Sequence, residues 1–258
     1  MKVSIVTIVY NRAHCIAHCI ESVLNQTYED IEHVIIDGGS TDGTVEIIGN
    51  YRDKLGYFIS EKDKGIFDAL NKGIKQATGD IIGILNSDDF FCHTDTIAKV
   101  VNGFLSSGAD LVYAKGLFVD KENPSKIKRI YPSGPFNKQN LRFGWIPLHT
   151  TIFVRKEIFC RFGVYRSGYS IASDYEISLR WFQNDEIKKF FLDEWVVKMR
   201  LGGLSTSAKL QLKKSKEDLR IIRLNQLNGI FTLACKIGRK VPQYIIPQIP
   251  GFYKSIKV

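Results

Sequence analysis

Glycine is missing from the first 37 residues of the 258-residue chain; the first one is Gly38. The opening apolar run, Val3 to Val9, therefore cannot lead into the glycine-rich turn that dinucleotide-binding folds and P-loops use to bring backbone up to a phosphate, and both classes are excluded. Long apolar runs are missing as well: no uncharged stretch approaches the roughly 20 residues needed to span a bilayer. Val3 to Tyr10 runs into Asn11-Arg12 without a small-residue cleavage site, so no secretory leader is expected. Cysteine is scarce and odd in number (Cys15, Cys19, Cys92, Cys160 and Cys235), with no CxxC pair. That usage fits a reducing compartment better than a disulfide framework, and a cytoplasmic location is the expectation.

The formal net charge of +9 is unevenly placed. Residues 1–208 hold 25 Lys+Arg against 25 Asp+Glu, whereas residues 209–258 hold 11 against 2. A neutral body excludes a nucleic-acid-binding core, and a basic tail asks for something acidic beside it. The length suits one large α/β domain with an appendage, here divided into a catalytic body, 1–207, and a basic helical extension, 208–258.

The chain is organised around Ile81 to Asp89, IIGILNSDD. Five residues that are apolar or glycine read as a fully buried strand, which stops at Asn86-Ser87-Asp88-Asp89. Adjacent carboxylates at the end of a buried strand repel each other and call for a cation, most simply a divalent metal on hard oxygen ligands. The same doublet also fits a turn that caps a helix starting near Thr94. Before it, Val3–Val9, Ile31–Ile36 and Tyr57–Ser60 read as strands, with helical stripes after the first (Cys15, Cys19, Ile20, Val23, Leu24) and third (Ile66, Ala69, Leu70, Ile74, Ala77). Strands alternating with helices predict a mainly parallel, doubly wound sheet. The loop 37–44, DGGSTDGT, puts Asp37 at the carboxyl end of a strand, where open α/β sheets bind ligands. His14-Cys15 and His18-Cys19 imitate a zinc pattern, but the cysteines continue the apolar face of their helix.

Past Asp89, Leu111–Tyr113, Leu117–Val119, Thr150–Val154, Lys188–Asp193 and Trp195–Met199 read as strands. Arg129 to Trp145 shows little periodicity and is expected to form a mobile loop for an acceptor. Ser173-Asp174-Tyr175-Glu176 opens a helix, with acidic residues placed where any helix start favours them.

SIVTIVYNR, IIDGGSTDGT, SEKDKGIFDALNKGIKQATGD and ILNSDD in that order, then PLHTTIFVRKEIF, ASDYEISLRW and LGGLST, resemble the family-2 glycosyltransferases of GT-A fold, and most of all the bacterial branch that builds O-antigen, capsule and exopolysaccharide. The resemblance implies that Asp37 reads the nucleotide base, that Tyr10 lies where the first strand meets that base, and that Asp63 and Asp68 lie in the segment contacting the nucleotide-sugar. Asp88 falls on the last position of the DxD motif and is the implied metal ligand, with Asp89 and His149 near the metal and diphosphate; Ser87 lies between the two motif positions. Asn86 occupies the first position, a departure from the usual aspartate, and an amide there keeps hydrogen-bonding capacity. Asp174 is the implied catalytic base. Gly202-Gly203-Leu204-Ser205 is a loop placed to close over the diphosphate.

The expected activity is that of an inverting transferase, moving a hexose from a nucleotide diphosphate sugar, UDP-linked first, with Mg²⁺ or Mn²⁺, to a hydroxyl of a surface-polysaccharide or lipid-linked glycan. A sugar nucleotidyltransferase would share nucleotide and metal, but its first strand should lead into a glycine-rich loop; a catalytically silent sugar-nucleotide-binding protein is the other alternative. In the tail, Lys209, Lys213, Lys216, Arg220 and Arg223 fall in one helical stripe beside Leu212, Leu219, Ile222 and Ile230, followed by Tyr244, Ile245, Ile246, Ile249, Phe252 and Tyr253 among Pro242, Pro247 and Pro250. This is the pattern of an interfacial helix that holds an enzyme to the inner, anionic face of the cytoplasmic membrane, and a chain cut at Ser207 is expected to fold without it. The same stripe also fits a helix packed on the body with its cations in water.

Overall fold

The computed structural model describes residues 1–202 and 208–249, Ala208 and Lys209 by backbone alone. Gly203, Leu204 and Ser205 of the expected diphosphate loop, the Lys209 side chain, Pro250, Phe252 and Tyr253 lie outside the described residues. The chain runs β1 (Val3–Val9), α1 (Ile16–Leu24), β2 (Ile31–Asp37), α2 (Thr44–Gly49), β3 (Tyr57–Ser60), α3 (Ile66–Gln76) and β4 (Ile81–Ile84). It continues through β5 (Phe90–Phe91), α4 (Thr96–Ser107), β6 (Leu111–Val119), β7 (Ile127–Tyr131), β8 (Ile152–Arg155), α5 (Lys156–Phe162) and α6 (Ser173–Gln183). The last elements are β9 (Lys189–Arg200), α7 (Ala208–Leu224), α8 (Gly229–Gly238) and α9 (Lys240–Ile245).

One sheet in the order β3-β2-β1-β4-β8-β6-β9-β5, with β7 beside β6, runs through the molecule. The first four strands are parallel, as the alternating pattern requires. β8 then enters antiparallel to both β4 and β6, and β6 and β9 pair in parallel. The sheet is therefore mixed, its parallel half carrying the loops of the site. β1 is almost wholly buried, and the register Val9 against Asp37 brings the carboxyl ends of β1 and β2 level. On one face α3 packs so closely that a side chain at Gly73 would meet Val6 at 2.3 Å. Glycine is required there because the helix backbone rests directly on the Val6 and Ile36 side chains of the sheet.

Three stretches differ from the sequence expectation, each for a packing reason. Leu111–Tyr113 and Leu117–Val119 are one strand, β6; Lys188–Asp193 and Trp195–Met199 fall in β9, which slips register against β6 between Tyr113 and Gly116 rather than breaking. Arg129 to Trp145 is ordered, not a free loop: its first part belongs to β7, and Leu141, Trp145 and Ile146 are buried in the main core. Trp145 packs against Tyr113 and Phe182 with centroids 5.9 and 5.7 Å apart, an aromatic cluster with no sequence period to announce it.

The third is the tail. Ile221 and Ile222 of α7 are fully buried in the same core as Val6, Trp181 and Phe182. α8 seats on the turn at 138–143 through Thr232, whose hydroxyl donates to the Arg142 carbonyl at 2.8 Å, and α9 packs on β7. The helices after 208 are thus built into the body. The apolar stripe expected to face a membrane is divided: Ile222 points into the core, Leu212 and Ile230 into solvent.

Candidate active site

The loops at the carboxyl ends of β1, β2 and β4 open, with the end of β9 and the start of α6, into a cleft of about 1220 Å³. Asn11 is the hinge of the first loop, with φ of 50°, a conformation asparagine tolerates better than most residues. Its side chain accepts from the Thr41 N–H, its own N–H donates to Ser40 Oγ, and the Arg12 N–H donates to Thr44 Oγ1, so the loops after β1 and β2 are tied together.

Asp37 lies beneath this tie rather than in the cleft. It is fully buried, and its carboxylate accepts from the Gly39 and Ser40 N–H groups and from the Ser40 and Ser60 hydroxyls at 2.5–3.0 Å. Its visible work is to fold the DGGS turn so that Gly38 and Gly39 present backbone to the cleft. A side chain on Gly38 would meet the Asp63 carboxylate at 2.5 Å and the Tyr10 ring at 3.5 Å. Tyr10, Gly38 and Asp63 thus lie close together where they line the cleft, forming the Tyr10 slot, with Tyr10 59% exposed. Asp68 is not brought to the cleft lining: it accepts from the Lys64 N–H at 3.0 Å and pairs with Lys72, steadying the first turn of α3.

After β4, Asn86, Ser87, Asp88 and Asp89 all line the cleft. Ser87 is nearly buried and Asp88 half-buried. The Arg200 guanidinium, at the end of β9, donates to the Asp88 carbonyl at 2.6 Å and lies over the Phe90 ring. Asp89 is fully buried; its Oδ2 accepts from the Asn86 amide at 2.9 Å while Oδ1 has no hydrogen-bond partner among the described residues. Burial, followed by the charge of Asp88, pushes the Asp89 carboxyl well above the usual carboxylate range. The amide at 86 has a local reason: an aspartate would be a third carboxylate against Asp89, whereas the amide donates to it. Among the described residues no group of three His, Cys, Asp or Glu side chains is gathered around one point. A magnesium-like ion needs less, since it is usually held by one or two carboxylates together with substrate phosphates. Asp88 facing the cleft and the unpaired Oδ1 of Asp89 meet that requirement.

His149 stands elsewhere in the cleft, its Nδ1 3.7 Å from Asp174 Oδ2, so the structure groups it with the base expected on α6 and not with Asp88 and Asp89. Asp174 sits in the first turn of α6, and its Oδ1 accepts from the Tyr175 N–H at 2.7 Å. α6 is held by the buried Glu176, paired with Arg180 at 2.9 Å and Arg166 at 3.1 Å, and by Tyr175, Leu179, Trp181 and Phe182 in the core. Burial would raise the Asp174 carboxyl, but Lys214, then His149 and Lys236, reverse this and hold it below the usual range. Burial lowers His149 despite Asp174, which favours the neutral imidazole.

Several residues that shape this end of the cleft were not singled out from sequence. Lys214 pairs with Asp218 at 3.8 Å, and Lys236 with Asp218 at 2.8 Å while lying 3.2 Å over the Tyr175 ring. Glu217 accepts four hydrogen bonds from the segment just before Asp174: from the N–H groups of Ser170, Ile171 and Ala172 and from the Ser170 hydroxyl, at 2.7–3.1 Å. The available signal was that Glu217 and Asp218 are the only acids in a tail of cations.

The comparisons agree with this geometry. The family model "Glycosyl transferase family 2" matches residues 4–167. A "PGL/p-HBAD biosynthesis glycosyltransferase" of Mycobacterium bovis (strain BCG / Pasteur 1173P2) is 30% identical over 248 residues, covering 94% of this chain and 91% of its own length. Among solved structures, S. aureus TarS in complex with UDP-GlcNAc superposes with a TM-score of 0.66 at 18% identity, covering all of this chain and 77% of that one. The mannosyltransferase PcManGT of Pyrobaculum calidifontis, in complex with GDP-Man and Mn²⁺, gives 0.64 at 17% identity, covering 91% and 68%. The mixed sheet with its ligand loops at the carboxyl ends of the parallel strands is the GT-A architecture, and the chain belongs to glycosyltransferase family 2 as a nucleotide-sugar glycosyltransferase.

Proposed function

We propose that the chain transfers a hexose from a nucleotide diphosphate sugar, UDP-linked first, to a hydroxyl of a surface-polysaccharide or lipid-linked glycan, with inversion at the anomeric carbon. The observation that carries the reading is the sharing of one cleft by two carboxylates in contrasting settings, Asp88 beside a buried aspartate and Asp174 beside cations. The slot formed by Tyr10, Gly38 and Asp63 receives the base, with Asp37 positioning that turn from below. Asp88 and the free oxygen of Asp89 would hold Mg²⁺ or Mn²⁺, which would supply neutralisation of charge on the leaving diphosphate. TarS with UDP-GlcNAc and PcManGT with GDP-Man and Mn²⁺ support this choice of donor and ion.

Asp174 accepts the proton of the acceptor hydroxyl. Its lowered pKa keeps it ionised at neutral pH, and the Tyr175 N–H, 2.7 Å from Oδ1, fixes the orientation of the carboxylate. Attack from the Asp174 side in a single displacement inverts the centre. Asp174→Asn tests this: donor binding stays while transfer falls by about 10²-fold or more, the scale of a lost general base. Transfer by this variant at near wild-type rate removes Asp174 from the chemistry, and nucleotide binding without turnover in the wild type leaves a silent binder.

The cytoplasmic, membrane-peripheral location also belongs to this reading. No described helix is long and apolar enough to cross a membrane. On the exposed side of α8 and α9, however, Ile230, Phe231, Ile237, Val241 and Ile245 are 48–74% exposed within the basic tail. Apolar groups ringed by cations suit an anionic headgroup boundary.

A further inference from the structure

The cleft is also lined by Phe118, Arg129, Lys240 and Tyr244. Arg129 is only 9% exposed, and no carboxylate pairs with it among the described residues; its Nε and Nη2 both donate to one oxygen, Oε1 of Gln243, at 2.8 and 2.5 Å. Its guanidinium carbon lies 4.6, 5.5 and 5.1 Å from the ring centroids of Phe118, Tyr131 and Tyr244. Aromatic faces hold a cation in place but do not neutralise it, and a buried charge without a counter-ion is costly. Lys240, half-buried on the next helix, feels the same field: burial, then Arg129 and Lys214, push its pKa down. The nearby carboxylates are engaged elsewhere, Asp218 by Lys214 and Lys236, Glu217 by the 170–172 segment. Among the described residues, neither of these two cations of the cleft pairs with a carboxylate.

We propose that Arg129 and Lys240 form a subsite for a phosphate group carried by the acceptor, distinct from the donor diphosphate at Asp88. Bidentate donation from arginine and a point charge from lysine is the combination that recognises phosphate. The surroundings favour a phosphate attached to an alkyl chain. Tyr244 leads from the subsite to the outside, and Val241, Ile245 and Ile249 beside it are more than half exposed, giving an apolar track along α9 away from Lys240. The proposal rests on the transferase reading only for assigning the phosphate to an acceptor.

Calorimetry on the full chain, with UDP and Mg²⁺ saturating so that the donor end is filled, tests it with octyl phosphate, inorganic phosphate and octanol as probes. Octyl phosphate is expected to bind, octanol not to, and Lys240→Gln and Arg129→Gln each to weaken octyl phosphate by about tenfold, the worth of one charge-assisted contact, with UDP affinity unchanged. Inorganic phosphate binding as tightly as octyl phosphate, and sensitive to both variants, supports the subsite and assigns it to a soluble phosphorylated acceptor. The proposal is overturned if Lys240→Gln, which removes an edge residue and leaves the core intact, binds octyl phosphate like the wild type, or if saturating UDP abolishes phosphate binding altogether. Failure of UDP itself to bind with Mg²⁺ strikes the donor reading instead, and phosphate binding without nucleotide then decides the subsite alone.

Discussion

Replacing Glu217 by alanine separates a residue that positions the catalytic machinery from one that merely joins two helices. Four hydrogen bonds converge on its carboxylate from 170–172, two residues ahead of Asp174. Water can replace the partner at exposed Ser170, but Ala172 is fully buried and its N–H would be left unpaired. A net bond to a charged acceptor contributes about 1.5–3 kcal/mol and an orphaned buried donor costs about 1–3. With most of the outer bonds recovered by solvent, a loss of roughly 2 kcal/mol is expected, which lowers Tm by about 4–8 °C in a chain of this size. Released at its start, α6 no longer fixes Asp174, and a displacement near 1 Å costs transfer about 10²-fold. The assay pairs a thermal melt with steady-state kinetics. kcat should fall while the donor KM holds, because Tyr10, Gly38 and Asp88 are untouched. Burial alone would raise the Glu217 carboxyl, but the bonds from 170–172 reverse this and hold it low. A depressed carboxylate stabilises above its unfolded pKa, so the advantage over Glu217→Gln is full at neutral pH and lost as pH falls through the acidic range. Glu217→Ala that melts early yet transfers within threefold of wild type refutes the positioning role.

Asp88→Ala should abolish the metal-enhanced part of UDP affinity; calorimetry with and without Mn²⁺ showing the same increment as wild type would remove Asp88 from the metal site. Burial lowers His33 to about 3, with Thr7 Oγ1 2.9 Å from its Nε2. A histidine lowered on folding leaves stability intact above its unfolded value near 6.5 and erodes it as pH falls from there toward 3, by about 1.4 kcal/mol per pH unit. Urea unfolding at pH 7 and pH 5 should show that slope in the wild type and not in His33→Gln. For the membrane reading, Ile221 and Ile222 are core residues whose burial contributes about 1.5–3 kcal/mol each, so a chain cut at Ser207 should unfold rather than merely detach. The test therefore uses Ile230→Ser with Ile237→Ser and Ile245→Ser: the wild type floats with anionic liposomes at low salt, and the triple variant, still folded, floats less. A wild type that stays with the soluble fraction ends that proposal.

The part of the cleft built on β1, β2 and β4 was legible because it is local. These are short apolar runs that end in polar loops, and in a parallel sheet the carboxyl ends meet by topology alone, so the loops holding Gly38, Asn86 and Asp88 could be brought together from order, while the parts given to Asn86 and Asp88 came from the family resemblance. What those residues do with their side chains was less legible. Asp37 turned inward, Asp68 to its own helix start and His149 to Asp174, each because a backbone donor or a neighbouring carboxylate lay nearer than the cleft, a matter of ångströms that spacing does not encode. The part of the cleft around Arg129 and Glu217 is non-local. Arg129 meets Gln243 across 114 residues and Glu217 meets Ser170 across 47, and neither pair has a period or motif. The basic stripe of α7 misled for a physical reason: a helix that packs its apolar face on a core and one that lays it on a membrane have the same pattern of positions. They differ in the polar residues at the edge of that face. In α7 those are Lys214, which acts on Asp174, Glu217, which holds the segment before it, and Asp218, which pairs with Lys214 and Lys236. Two lone acids within a run of cations are what a helix needs when its neighbours are a helix N-terminus and buried lysines rather than a layer of anionic headgroups, and their placement at adjacent positions commits one side of α7 to the protein.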